Sequence, residues 1–220
     1  MSSKQHTNLI DALAADLVPV RRLHSPGLRA AFWLAVVSAF ALGLYLAYDI
    51  TNLLIRMEHV PGTKIALGAA IATAVLGAIA VFQLSLPDRS PRWGFLPIPA
   101  LAFWLGASGL GCVNRLEALP EMRWYTLLEA PDCLIYIVAL SIPLSTLLIF
   151  MLRRGYTLYP GLTSVAGGIA VAAAASALLE IFHPFDAAGT DILVHAFAIA
   201  LVIGVNRWLG GRLLNKQGHL

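Results

Sequence analysis

Long apolar runs fill most of the chain after about residue 30. An α-helix needs about 20 apolar residues to cross a hydrocarbon layer of ~30 Å, so runs of that length without interior charge predict membrane-spanning helices. The runs lie at 30–49, 65–86, 94–113, 133–152, 162–182 and 191–209. This pattern predicts an all-α integral membrane protein with six transmembrane helices in one bundle. We expect the connections to be short loops, the largest at about 114–132.

A different pattern precedes these runs, in residues 7–24. Apolar residues recur there at helical spacing, and polar residues fall off that line, which predicts a short amphipathic helix. The apolar residues, here called the leucine stripe, are Leu9, Ile10, Leu13 and Leu17, and the polar ones are Asn8, Asp11 and Asp16. Thr7 or Asn8 can cap its start, and Pro19 should end it near residue 17. Because about three turns of helix are marginal alone in water, we expect lipid or a partner protein to cover the stripe.

Composition and charge agree with a membrane protein. Hydrophobic residues are 59% of the 220 residues and charged residues 12%, against about a quarter charged in soluble domains. The net charge of +3 comes with short basic clusters, which do not indicate nucleic-acid binding. Eleven of the 15 Lys and Arg residues are expected on the same side as the termini, and four on the opposite side. These four are Arg56, Lys64, Arg115 and Arg123. The positive-inside rule then predicts that both termini are cytoplasmic.

These expectations divide the chain into three parts. Residues 1–28 form a cytoplasmic N-terminal segment, tethered ahead of the first span by Pro26 and Gly27. Residues 29–214 form the transmembrane domain, and residues 215–220 form a cytoplasmic tail.

Catalytic motifs are missing from the sequence. It contains no phosphate-binding loop, catalytic triad or metalloprotease motif, so we expect neither enzyme activity nor a cofactor. Ion and proton pathways normally need acids or bases near the middle of the membrane, and the spans have almost none. A small transporter or channel is still an alternative. It would need a continuous polar cavity, for which the sequence offers His195, Asn206, Gln83 and Ser141.

Two sets of residues suggest a sensor. Cys112 and Cys133 lie at the outer ends of the third and fourth predicted spans, where they could form a disulfide, sense redox state, or simply pack as small buried residues. The second set consists of two pairs of residues. The two members of each pair are three or four positions apart, which places them on the same face of a helix. These pairs, Glu180 with His183 and Asp191 with His195, could bind a metal together or could be polar helix ends at an aqueous boundary. A redox or metal sensor is therefore a further alternative.

Several stretches resemble a known family. They are residues 9–23, 85–93 and 105–112 and the pair Asp132 and Cys133. The most specific part is the string from Asp16 to Leu23 together with the Gly111-Cys112 pair and Cys133. Over nearly its whole length the chain resembles the NrsF-type membrane anti-sigma factors, which are six-span negative regulators of bacterial extracytoplasmic-function sigma factors. The resemblance implies that the N-terminal segment holds such a sigma factor at the inner membrane until a stress signal releases it.

The leucine stripe is where the resemblance and the helical pattern agree. An amphipathic helix laid in a groove of the sigma factor could block the surfaces that bind polymerase and promoter DNA. The stripe would supply the apolar anchors, while charged residues would set orientation and the rate of association. The charged residues are Asp11, Asp16, Arg21 and Arg22. The expected partners are therefore the sigma factor and the lipid bilayer, without direct nucleic-acid contact.

One position departs from the family pattern. The family has a His-Cys pair after the fifth span, whereas His183 is followed here by Pro184. If the family senses its signal through that cysteine and the one matching Cys133, this chain must sense differently, with Cys112 and Cys133 as one alternative.

Overall fold

A computed structural model describes residues 3–15, 23–59, 62–118, 123–155, 157–182, 200–201, 203–205 and 207–208. All regular structure in these ranges is helical. The helices are α1 (Ser3–Ala15), α2 (Pro26–Ala47), α3 (Thr51–His59), α4 (Thr63–Leu84), α5 (Ile98–Ala118), α6 (Arg123–Leu152) and α7 (Pro160–Phe182). A 3-10 helix, Pro91–Phe95, precedes α5. The described residues between 200 and 208 are also helical.

Four stretches in the described part are long and apolar enough to cross a membrane. They are Pro26–Ala47, Thr63–Leu84, Ile135–Leu152 and Pro160–Ile181. They match the first, second, fourth and fifth predicted spans. α5 overlaps the third predicted span, and the helical residues between 200 and 208 lie within the sixth. The all-helical class is therefore confirmed for the described ranges, while the count of six spans stays a prediction.

Helix α7 lies at the centre of the packing. In its apolar stretch 83% of the residues are buried, against 11% in α2. It packs against α4 and α6, and α4 in turn packs against α2 and α5. A Cβ atom added at Gly77 of α4 would lie 2.9 Å from the Cβ of Ala170 on α7. Small side chains thus allow close approach of the helices, which is how helices gain contact energy in lipid.

The first span begins earlier than the sequence pattern predicted. Ser25 precedes the helix, and its hydroxyl accepts a hydrogen bond of 3.3 Å from the N–H of Leu28. Pro26 stands in the first turn, where the missing N–H of proline costs nothing. The helix therefore begins ahead of the apolar run predicted at about 30–49, and Pro26 and Gly27, which were expected to tether the N-terminal segment, belong to its first turn.

Two predicted connections are largely helical. Helix α3 lies between the first two spans. At the start of α3, the Asp49 carboxylate accepts hydrogen bonds from the Thr51 hydroxyl at 2.6 Å and from the Thr51 N–H at 2.9 Å. The predicted loop at 114–132 is also mostly helix, since α5 continues to Ala118 and α6 begins at Arg123. Polar and charged residues interrupt the apolar runs in both places, so counting apolar residues missed these helices.

Candidate functional site

The N-terminal helix α1 carries the first part of the predicted site. It begins at Ser3, ahead of the predicted start at Thr7 or Asn8. Leu9 is 56% exposed and Ile10 is 64% exposed, so two large apolar side chains are open to the surroundings. The polar neighbour Asp11 is exposed as well. Helix α1 therefore covers the part of the predicted helix up to Ala15, and two of the four residues of the stripe, Leu9 and Ile10, are accessible.

The remaining predicted binding residues are not placed by the structure. Leu13 belongs to α1, but its side chain lies outside the description. The same holds for the whole of Asp16, Leu17, Arg21 and Arg22, which fall between the described ranges 3–15 and 23–59. Their roles stay predictions.

The predicted sensing residues are placed only in part. Cys112 lies in α5 and Cys133 in α6, and the structure does not describe either side chain. Glu180 is half-buried near the end of α7, whereas its three predicted companions lie outside the description; these are His183, Asp191 and His195. Within the described residues, no group of three or more His, Cys, Asp or Glu side chains is placed to hold a metal. The redox and metal assignments stay open predictions.

The polar path that a transporter would need is likewise incomplete. Ser141 is buried on α6 and Gln83 is half-buried on α4, and each has a buried oxygen without a hydrogen-bond partner among the described residues. His195 and Asn206 lie beyond the described ranges. The described part of the chain therefore does not bring the four residues into one cavity.

A buried arginine near the start of α2 is the main polar feature that sequence analysis missed. Arg29 is 7% exposed, and its guanidinium donates a 2.9 Å hydrogen bond to the Ser85 hydroxyl. A second guanidinium N–H group donates to the backbone carbonyl of Met151. The guanidinium carbon also lies 4.9 Å from the centre of the Phe82 ring. We call Arg29, Phe82, Ser85 and Met151 the Arg29 junction, because together they join α2 to the ends of α4 and α6.

Neighbouring contacts hold this junction in place. The Ser85 hydroxyl donates to the Phe82 carbonyl at 2.7 Å, so it is oriented to accept from the arginine. The loop after α6 lies directly against it, since a Cβ added at Gly155 would lie 2.8 Å from the Ser85 carbonyl oxygen. In the same loop the Thr157 hydroxyl donates to the Leu84 carbonyl at 2.8 Å. The loops that follow α4 and α6 are therefore fastened to each other beside Arg29.

Trp33 adds a second attachment one turn further along α2. It is fully buried, and its indole N–H donates to the Leu144 carbonyl on α6 at 3.2 Å. The buried residues of α2 are Arg29, Ala30 and Trp33. Hydrogen bonds to a charged group contribute about 1.5–3 kcal/mol each, and a desolvated cation–π contact about 2 kcal/mol. Together with partly buried apolar side chains of α2, such as Leu34 and Val37, these contacts attach the helix to the bundle.

A sequence signal for the Arg29 junction does exist. Basic residues within membrane spans are rare and usually face the protein interior. The Ser25 and Pro26 pair marks a helix start, which would have placed Arg29 inside the first span rather than ahead of it. Its partners come from two distant helices, however, and periodicity along one segment cannot identify them.

These observations define the protein as an all-helical one with several apolar helices of membrane-spanning length. Its described part is all-helical, contains four apolar helices of membrane-spanning length that are consistent with membrane association, and presents an exposed helix ahead of them. The chain belongs to the family described as negative regulator of sigma F (NrsF), whose family model matches residues 13–215. The resemblance noted from the sequence is thereby confirmed, and the description is that of a regulator of a sigma factor. Comparisons with curated proteins and with solved structures found no match.

Proposed function

We propose that this protein is a membrane-bound anti-sigma factor that holds an extracytoplasmic-function sigma factor at the bacterial inner membrane and releases it on a stress signal. The observation that carries the proposal is the exposure of Leu9 and Ile10 on α1, in a chain that belongs to the NrsF family. Large apolar side chains that point out from a short helix are ready anchors for a groove on a partner. Burying them removes apolar surface from water, which favours the complex.

Charged residues of the same segment complete the proposed binding surface. Asp11 is exposed on α1, and the sequence continues with Asp16, Arg21 and Arg22. Charges at the edge of an interface mainly set the rate and orientation of association, while the buried apolar anchors set most of the affinity. We therefore assign affinity to the leucine stripe and orientation to the charged residues.

The proposed topology places this segment beside the sigma factor. The partner is a cytoplasmic protein, so residues 1–28 must be on the cytoplasmic side of the membrane domain at 29–214, as must the tail at 215–220. Four exposed arginines support this assignment, because they lie in the connections after α4 and α6, at the end of the bundle where α2 begins. The positive-inside rule predicts basic residues on the cytoplasmic side. The four arginines are Arg89, Arg92, Arg153 and Arg154.

Release would follow from movement of the bundle. The Arg29 junction fixes the point at which the N-terminal segment leaves the membrane domain, since Arg29 stands in the first turns of α2. A signal received at the outer ends of the spans, with Cys112 and Cys133 as the proposed sensing residues, would shift α2 against α4 and α6. The change at the junction would then reorient the N-terminal segment and weaken its hold on the sigma factor.

A binding measurement with the full-length protein tests the proposal. The protein is reconstituted in nanodiscs and titrated with the sigma factor F of the same bacterium. Removal of a central apolar anchor commonly costs about 2 kcal/mol or more, so the double variant Leu9→Asp with Ile10→Asp should bind roughly 30-fold more weakly. The control is Asn8→Asp, which adds a charge to α1 off the leucine stripe and should bind like the wild type. Equal affinity of the wild type and the double variant would refute the proposed binding face.

A further inference from the structure

Two connections at one end of the bundle carry four exposed arginines. Arg89 lies in the connection after α4 and Arg92 in the 3-10 helix that follows it, while Arg153 and Arg154 lie in the loop after α6. The acid within these two loops is Asp88, whose carboxylate lies 3.7 Å from the Arg89 side chain. These two connections therefore carry four arginines against one acid.

The two loops form one surface rather than two independent segments. The Thr157 hydroxyl joins them by donating to the Leu84 carbonyl at 2.8 Å, and it also shares a 2.9 Å hydrogen bond with the Thr163 hydroxyl. Gly155 lies against Ser85 so closely that no side chain would fit between them. The backbone segments that carry the arginines are consequently held against each other, and we call the four arginines the arginine platform.

Exposed apolar side chains border the arginine platform. Phe95 is 63% exposed, Phe150 is 57% exposed and Leu158 is 55% exposed. In a membrane protein, large exposed side chains near the ends of spans contact lipid, and aromatic ones mark its boundary. The guanidinium of Arg154 lies 5.5 Å from the centre of the Phe150 ring, so its charge is held at this boundary. In the proposed membrane orientation, these side chains would place the platform at the depth of the lipid headgroups.

We propose that the arginine platform binds the phosphate groups of anionic phospholipids. The guanidinium group offers planar pairs of N–H donors that match phosphate oxygens, and it is less strongly hydrated than an ammonium group. Anionic lipids attract basic residues that lie close to the membrane surface. An acidic surface on a protein would suit the charge as well, but the bordering phenylalanines favour lipid. The proposal rests on the proposed cytoplasmic position of this end, since it commits the platform to the inner leaflet.

Thermal unfolding of the full-length protein in nanodiscs tests this inference without any sigma factor, so its failure is distinct from failure of the proposed function. Replacing part of the phosphatidylcholine with phosphatidylglycerol should raise the midpoint of unfolding, and added salt should reduce the gain. The double variant Arg92→Gln with Arg154→Gln should lose at least half of the gain. Lys64→Gln is the matched control, because Lys64 is an exposed base at the other end of α4, and it should keep the full gain.

Further arms separate the sources of phosphate. Inorganic phosphate added to phosphatidylcholine nanodiscs should give no gain, and native mass spectrometry should show fewer bound phosphatidylglycerol molecules on the double variant than on the wild type. Equal lipid binding by both would overturn the proposal. A gain from inorganic phosphate as large as that from lipid would overturn it as well.

Discussion

The guanidinium of Arg29 donates a 2.9 Å hydrogen bond to the hydroxyl of Ser85, and so joins the start of α2 to the end of α4 across 56 positions of the chain. An ionised group removed from water is costly unless its donors are satisfied. Here the Ser85 hydroxyl, the Met151 carbonyl and the Phe82 ring together surround the charge. Arg29 is one of three buried residues of α2, so the placement of the first span depends in part on this side chain.

Removal of the Ser85 hydroxyl should therefore destabilise the bundle. Ser85→Ala leaves one guanidinium N–H of Arg29 without its acceptor, and a buried unsatisfied group costs about 1–3 kcal/mol. We expect a loss of this size in the free energy of unfolding, measured by denaturant titration in mixed micelles. Ser38→Ala, at an exposed position of α2, is the control and should change stability little. Equal losses in both variants would contradict a role for the hydrogen bond.

Two substitutions of Arg29 should separate the effect of its positive charge on stability from the effect of its planar arrangement of donors. Lysine keeps the charge buried but cannot reproduce the planar arrangement of donors that reaches Ser85 and Met151 together. Methionine removes both the charge and the need for partners, and replacing buried charges with apolar groups is often tolerated. We expect Arg29→Lys to be the less stable variant, about 2 kcal/mol below the wild type. Calorimetry of both variants in one detergent checks the order, and a lysine variant as stable as the wild type would contradict the expectation.

The apolar runs predicted the long helices well, because about 20 consecutive apolar residues have few structural alternatives in a membrane. Short helices escaped this criterion, as α3 shows, since Arg56 and Glu58 interrupt any apolar run there. Local periodicity predicted a helix that overlaps α1, because its pattern lies within one segment, but it placed the start at Thr7 or Asn8 rather than at Ser3. The Arg29 junction was beyond prediction for another reason. Its partners Ser85 and Met151 come from separate helices, and only the packed bundle brings them to the same arginine.

The close approach of α4 and α7 at Gly77 should make that position intolerant of any side chain. In Gly77→Ala the new methyl group would lie 2.9 Å from the Cβ of Ala170 and 3.0 Å from its Cα, so one of the two helices must shift. Overpacking of this kind costs about 1–3 kcal/mol. Gly68→Ala in the same helix meets nothing within 4 Å and should be neutral or slightly stabilising, since alanine favours helix. Thermal unfolding of both variants tests the contrast, which would be absent if α7 were not packed on Gly77.

Protonation of Asp49 should loosen the start of α3. Hydrogen bonds from the Thr51 hydroxyl and then from the Thr51 N–H hold the pKa of the Asp49 carboxyl below its ordinary value. A carboxyl whose pKa is lower in the folded state stabilises that state above its unfolded pKa, and the contribution disappears as the pH falls through the folded pKa. Amide exchange in α3, corrected for intrinsic rates, should therefore speed up relative to α4 in acid below about pH 4. Asp49→Asn should lack this acid step, and an unchanged step in that variant would assign it to another group.

Trp33 allows the attachment of α2 to be tested separately from the charge of Arg29. Trp33→Phe removes the hydrogen bond to the Leu144 carbonyl and leaves a small space, so we expect a loss of about 1–3 kcal/mol in stability. If the start of α2 controls the N-terminal segment as proposed, Trp33→Phe and Ser85→Ala should both speed dissociation of the sigma factor from full-length protein in nanodiscs, although neither residue belongs to the leucine stripe. Phe40→Leu, at an exposed position of the same helix, should leave the dissociation rate unchanged. Variants that lose stability but release the sigma factor at the wild-type rate would show that the junction supports the fold without transmitting a signal.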